Sequence, residues 1–248
     1  TFNYQVAGSG GRLATTPYVN DREDPEALLA LAKREGARLL YLANPDNPMG
    51  SWWDAAAIQD LIRRLPENCL LCLDEAYGEF APEGTLPPLD VEDPRVLRFR
   101  TFSKAYGLAG ARVGYAIGAA GVIEGFDKIR NHFGVNRMGQ VAALAALGDA
   151  AHLRFVIGEV AAARDRIAAI GRANGLVPLP SAANFVTLDC GRDGAYARRV
   201  LNALIERDVF VRMPGVAPLD RCIRVSAGTR PDLDVFEEVL PQALKAAV

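Results

Sequence analysis

Histidine and cysteine are scarce in this chain of 248 residues, which holds two of the first and four of the second. His132 and His152 are too few for a metal site, and none is expected. Cys69, Cys72, Cys190 and Cys222 lack the spacing of a disulfide framework. Cys69 and Cys72 form a C-x-x-C pair inside an apolar run, and residues three apart on a strand face opposite sides. They read as packing residues rather than redox or zinc ligands. Long hydrophobic runs are missing too, so no span of a bilayer and no membrane partner are expected. The 28 Lys and Arg are balanced by 30 Asp and Glu, a net charge of −2 with no basic cluster, which argues against nucleic acid. No internal repeat or low-complexity tract is present. The composition suits a soluble cytoplasmic enzyme with one large or two modest domains.

What the chain does have is a series of short apolar runs that each end in a polar cluster. Residues 38–43 (Arg-Leu-Leu-Tyr-Leu-Ala) read as a buried strand running into Asn44-Pro-Asp-Asn-Pro-Met-Gly50. Cys69-Leu-Leu-Cys-Leu73 is a second strand and runs into Asp74-Glu-Ala-Tyr77; a third apolar strand covers Val96 to Phe99. Amphipathic patterns over Pro25 to Arg34 and Asp54 to Arg64 predict helices before and between them. Continuous apolar strands alternating with helices predict parallel βα units covered on both faces. Parallel strands present their carboxyl ends on one edge, where such sheets bind ligands. Asn47, Asp74, Tyr77 and Lys104 should therefore meet in one crevice.

The third strand leads into Thr101-Phe102-Ser103-Lys104, with Arg112 eight residues beyond the lysine. A lysine in this setting can form a Schiff base with an aldehyde, and hydroxyls with an arginine can hold a phosphate. Aldehyde and phosphate together describe pyridoxal 5′-phosphate. Asp74 could keep a pyridine nitrogen protonated, Tyr77 and Asn47 could stabilise the neighbouring ring oxygen, and Lys104 could move protons. Glu75 reads as structural. Trp52 and Trp53 are expected to anchor the helix after the turn.

With these residues in view, NPDNPMG, LDEAY, TFSKAYGLAGARVG and IRVSAGTR resemble the motif blocks of fold-type I pyridoxal-phosphate aminotransferases, particularly the histidinol-phosphate aminotransferase group. The resemblance runs from Thr1 nearly to the C-terminus. It implies an α/β fold with a mostly parallel sheet in a three-layer α/β/α cofactor-binding large domain over residues 1–148. A smaller α+β C-terminal domain would cover 149–248, with strands at Asn184 to Leu188, Val209 to Arg212 and Cys222 to Ser226. By the same likeness Lys104 is the Schiff-base lysine, Asp74 pairs the ring nitrogen, and Asn47 and Tyr77 contact the ring oxygen. Thr101, Ser103 and Arg112 would bind the phosphate, and Phe2 would stack on the ring. Arg224 and Arg212 would grip the substrate's carboxylate or phosphate, with Asn47 beside them. The implied activity transfers an amino group from an amino acid or amino-alcohol phosphate to a 2-oxo acid, 2-oxoglutarate, in a homodimer.

Three features depart from the family pattern. Met49 stands where threonine is usual, and His132 in Asn-His-Phe-Gly-Val-Asn stands where proline is usual; both are expected near the substrate's approach. The chain also starts after a segment that relatives carry, so it reads as the C-terminal part of a longer protein. Two alternatives share these motifs: a decarboxylase of the threonine-phosphate type, separable by CO₂ release, and the effector-sensing half of a transcriptional regulator, separable by a DNA-binding segment upstream.

Overall fold

A computed structural model gives the fold of residues 2–248; Thr1, the first residue of the expected large domain, lies outside them. Helix α1 spans Phe2–Gly8 and α2 spans Pro25–Glu35. The second starts where the sequence says it should: the Asp24 side chain accepts from the amides of Glu26 and Ala27, Pro25 occupies the first turn, and Gly36 closes it at φ 58°. Strand β1 (Leu39–Ala43) follows, then α3 (Ala55–Arg63), capped by Asp54. Next come β2 (Leu70–Asp74), β3 (Val96–Thr101) and β4 (Gly114–Ile117). They form one sheet in the order β1-β2-β3-β4, with the first two pairings parallel and the last antiparallel. The sheet is thus mostly parallel, as expected, although β4 carried no sequence expectation.

Leu40 and Leu42 of β1 and Leu71 and Leu73 of β2 turn to one face. There they pack against Leu29, Ala32, Ile58 and Leu61 from α2 and α3. Each of these fully buried leucines contributes about 1.5–3 kcal/mol relative to exposure. Strand alternation sends Tyr41, Cys72 and Asp74 to the other face. Cys69 sits with the leucine cluster, whereas Cys72 does not, and burial pushes both thiols up. Trp53 docks beside the same cluster, its amide donating to Asn44 Oδ1 and its indole to the Glu23 carbonyl.

Helix α4 (Ala120–Asp127) and helix α5 (Arg137–Gly148) lead to the long α6 (Ala150–Ala173). A second, antiparallel sheet then assembles from β5 (Val177–Pro178), β6 (Phe185–Asp189) and β7 (Cys222–Ser226), in that order. Helices α7 (Gly194–Ile205) and α8 (Arg230–Ala246) join α6 over one face of it. The strand expected at Val209 to Arg212 does not form. That segment makes only an isolated antiparallel bridge, Arg212 to Arg224, and the third strand is β5 instead. Val209 and Val211 still pack on the helix-covered core while Phe210 points into solvent, but with Arg212 alone paired through its backbone the segment does not extend the sheet.

Among the described residues no single helix is long and apolar enough to cross a membrane. The two sheets meet along α6. Its Leu153, Val156, Ile157 and Val160 pack on Tyr77, Phe80 and Ala105 from one side and Ala183 and Phe185 from the other. Arg164 of α6 donates to the carbonyls of Phe80 and Ala183, tying both sides to the same helix.

Candidate active site

The three parallel strands end together: Ala43 lies in register with Asp74, and Asp74 with Phe99. The turn after β1 is held rigidly. Asn44, wholly buried, donates through Nδ2 to the Trp53 carbonyl at 3.0 Å, and its Oδ1 accepts from the Trp53 amide at 2.9 Å. Asp46 Oδ2 accepts from the Met49 amide at 3.0 Å and its Oδ1 from the Tyr18 hydroxyl at 2.8 Å. Gly50 sits at φ 81°, where a Cβ would stand 2.4 Å from Ser181 Oγ, so only glycine lets the two sheets approach there. These bonds leave Asn47 at the tip of the turn.

Asn47 Nδ2 donates to the Tyr77 hydroxyl at 3.2 Å, and the Lys104 ammonium lies 5.1 Å from the centre of the Tyr77 ring. The other side of the Asn47 amide accepts from Arg224 Nη1. Arg224 in turn lies over the Phe185 ring at 4.6 Å, and Phe185 meets Tyr77 edge-on at 5.5 Å. Lys104, Tyr77, Asn47 and Arg224 are therefore one continuous contact chain drawn from both sheets. Arg224 reaches it because β7 alternates: Ile223 and Val225 enter the helix-covered core, and the arginine faces the opposite way. Thr187 on β6 shares that face and donates to the Pro48 carbonyl at 2.8 Å.

Asp74 closes β2 with its Oδ1 accepting from the Ala76 amide at 3.0 Å and its Oδ2 from the Tyr41 hydroxyl at 2.6 Å. Glu75, the next residue, points away into a buried ion network with Arg98 and Arg100, and Arg100 continues it to Glu79. The structural reading of Glu75 matches that placement.

Thr101 ends β3, and its hydroxyl accepts from the Ser103 amide at 3.0 Å, in the turn that leads into Lys104. Arg112 is not brought to them. It is exposed, in left-handed backbone at φ 57°, and its guanidinium donates to the Ala109 carbonyl of its own loop. Phe2 lies on the Tyr41 ring, with centroids 4.5 Å apart and planes 25° apart. Arg212 is exposed, but its backbone pairs with that of Arg224, and directly opposed residues in an antiparallel bridge share a face. Burial, with the like charge of Arg212 adding to it, holds the Arg224 guanidinium below the usual arginine range, and its buried Nε has no partner among the described residues. A cation in that condition has the capacity to accept an anion. His132 is exposed. Met49 does not face the site as expected; it is buried among Leu219, Cys222, Tyr18 and Leu179, where an apolar thioether fills the seam between the sheets.

An acidic wall lies behind the turn, and no motif in the sequence marks it. Glu23 accepts from the Ala43 amide at 3.1 Å, and burial together with the charge of Asp46 pushes its carboxyl up to about 8. Burial also raises Asp46, against the pull of the Met49 amide and the Tyr18 hydroxyl. Burial and the adjacent carboxylates drive the phenols of Tyr41 and Tyr18 well above the ordinary tyrosine range. The signal available was Asp46 itself, an acid inside an otherwise rigid turn.

The family model for aminotransferase class I and II matches residues 2–240. The chain belongs to that family. Among aminotransferases of this class, a histidinol-phosphate aminotransferase of Moorella thermoacetica is 34% identical over 247 residues, which is 98% of this chain and 63% of the relative. An aromatic amino acid aminotransferase of Mycobacterium marinum is 40% identical over 191 residues, 74% of this chain and 52% of that protein. The chain thus spans less than two thirds of these curated relatives. A crystal structure of histidinol-phosphate aminotransferase from Sinorhizobium meliloti in complex with pyridoxal 5′-phosphate superposes with a TM-score of 0.98 at 53% identity, covering 100% of this chain and 68% of that one.

Proposed function

We propose that the protein carrying this chain is a pyridoxal-phosphate-dependent aminotransferase of the histidinol-phosphate type, with 2-oxoglutarate as amino acceptor. The observation that carries this reading is the contact chain Lys104–Tyr77–Asn47–Arg224 at the carboxyl edge of the sheet, the edge at which Asp74 ends β2. The donor set fits the cofactor's chemistry: a carboxylate for a ring nitrogen, a phenol and amide for a ring oxygen, an amine for an aldehyde, and hydroxyls for a phosphate. The similarity to the Sinorhizobium meliloti enzyme supports the same choice.

When bound, the cofactor supplies an aldehyde for amine exchange and a ring that takes up the electron pair released at the substrate's Cα. Asp74 holds a proton on the ring nitrogen by its negative charge. Tyr77 and Asn47 steady the ring oxygen, while Thr101 and Ser103 receive the phosphate. Arg112 would exchange its bond to the Ala109 carbonyl for the same phosphate, and Phe2 would cover the ring. Lys104 Nζ would be the amine that holds the cofactor's aldehyde, and would take the proton from Cα of the amino donor. Arg224, with Arg212 beside it, binds the donor's carboxylate or phosphate and so fixes Cα near Lys104. On this reading residues 2–148 form the cofactor-binding portion and residues 149–248 the substrate-gripping portion. A homodimer belongs to it as well, supported by the apolar stripe Met138, Val141 and Leu144 that α5 leaves exposed.

The test is an amino-donor panel of histidinol phosphate, aromatic amino acids and glutamate, scored for keto product and for CO₂. Keto product from histidinol phosphate, lost in Lys104→Ala, is the expected result. Release of CO₂ without keto product would place the protein with the decarboxylases instead.

A further inference from the structure

The site as assigned leaves one strongly bonded side chain without a role. Tyr41 lies on β1 in register with Cys72, on the same face of the sheet as Asp74. Its hydroxyl donates to Asp74 Oδ2 at 2.6 Å, the length of a charge-assisted bond. The other carboxylate oxygen accepts from the Ala76 amide at 3.0 Å. With one donor on each oxygen, rotation of the carboxylate about its Cβ–Cγ bond is blocked. Each oxygen keeps a lone pair free, so the clamp does not consume the group's capacity to accept.

The phenol is suited to this work alone. Burial and the facing charge of Asp74 hold it protonated across the whole physiological range, with Glu23 and Asp46 adding to the effect. It therefore serves as a donor to the carboxylate. Its ring is fixed in turn by Phe2 stacked 4.5 Å away and by the strand that carries it.

We propose that Tyr41 is a positioning residue for Asp74: it fixes the carboxylate's orientation and thereby sets how well Asp74 holds the proton of a pyridine nitrogen. The proposal rests on the reading above that Asp74 is the partner of the cofactor's ring nitrogen. Tyr41→Phe removes one oxygen and keeps the ring on which Phe2 lies, so the change is local. The cofactor-loaded protein is prepared with ¹⁵N in the pyridine ring, as wild type, Tyr41→Phe and Asp74→Asn. Two quantities are read: the ¹⁵N chemical shift of the ring and the rate of cofactor release.

In Tyr41→Phe the resonance should move from its wild-type position, with the visible absorbance of lysine-bound cofactor retained. Release should quicken by about tenfold, the equivalent of one hydrogen bond to a charged group. Asp74→Asn should move the resonance further, toward an unprotonated nitrogen. A wild-type shift and release rate in Tyr41→Phe, beside a displaced resonance in Asp74→Asn, would overturn the role of Tyr41 and leave Asp74 in place. An unmoved resonance in both variants would overturn the reading of Asp74, and the proposal with it.

Discussion

Arg224 concentrates the electrostatic logic of the site in one side chain. It is half-buried, faces the like charge of Arg212, rests on Phe185 and spends one Nη on Asn47, while its Nε has no partner among the described residues. An anion binding there relieves the repulsion and satisfies the nitrogen together. Arg224→Lys keeps the charge but loses the planar fork. It should raise the KM for the amino donor roughly tenfold or more, with the absorbance of lysine-bound cofactor unchanged, because about 1.4 kcal/mol of charge-assisted bonding is lost. Steady-state kinetics with the donor varied would check this, and an unaltered KM would remove Arg224 from the substrate's path. The sequence exposed this residue only partly. Its flanking Ile223 and Val225 fixed which way it turns, but nothing local distinguished a cleft from open water. The deciding contacts come from Asn47 and Phe185, far away in the chain.

At the scale of elements, what was legible is what depends on neighbours in sequence. The amphipathic patterns and the leucine runs placed α2, α3, β1 and β2 to within a residue or so. The failures lie where partners decide. Val209 to Arg212 has the composition of a strand, yet only Arg212 finds a backbone partner, whereas the two-residue β5 pairs fully with β6 despite its proline. The ion network at the end of β2 was invisible for the same reason, since Glu75, Arg98 and Arg100 become neighbours only through the β2–β3 pairing. Glu75 is wholly buried and pairs with two guanidinium groups, so Glu75→Gln strands buried positive charge. The expected cost is about 3–5 kcal/mol in denaturant unfolding. A loss below about 0.5 kcal/mol would mean that the network relaxes into water and holds nothing together.

Across the whole molecule, both sheets converge on the turn from Asn44 to Gly50. One presents it, and the other grips it through Thr187, Arg224 and the close approach of Ser181. Behind that turn lies Glu23, whose carboxyl is raised to about 8 by burial and by Asp46. A proton bound more tightly in the folded chain than in the unfolded one stabilises the fold below the ordinary glutamate range. That gain is then lost as pH rises toward 8. Stability from denaturant titrations should therefore fall between about pH 5 and about pH 8, with this group contributing up to about 1.4 kcal/mol per pH unit. Glu23→Gln should flatten the fall, and an unchanged slope would assign it elsewhere. The central claim, that Lys104 is the amine at which the side chains of the site converge, has a more direct test. Borohydride reduction of the cofactor-loaded protein fixes the pyridoxyl group on the lysine that carries it, and peptide mass mapping then locates it. The chain offers Lys33, Lys104, Lys128 and Lys245. The label should appear on the peptide containing Lys104; its appearance on any of the other three, or on none, would contradict the account.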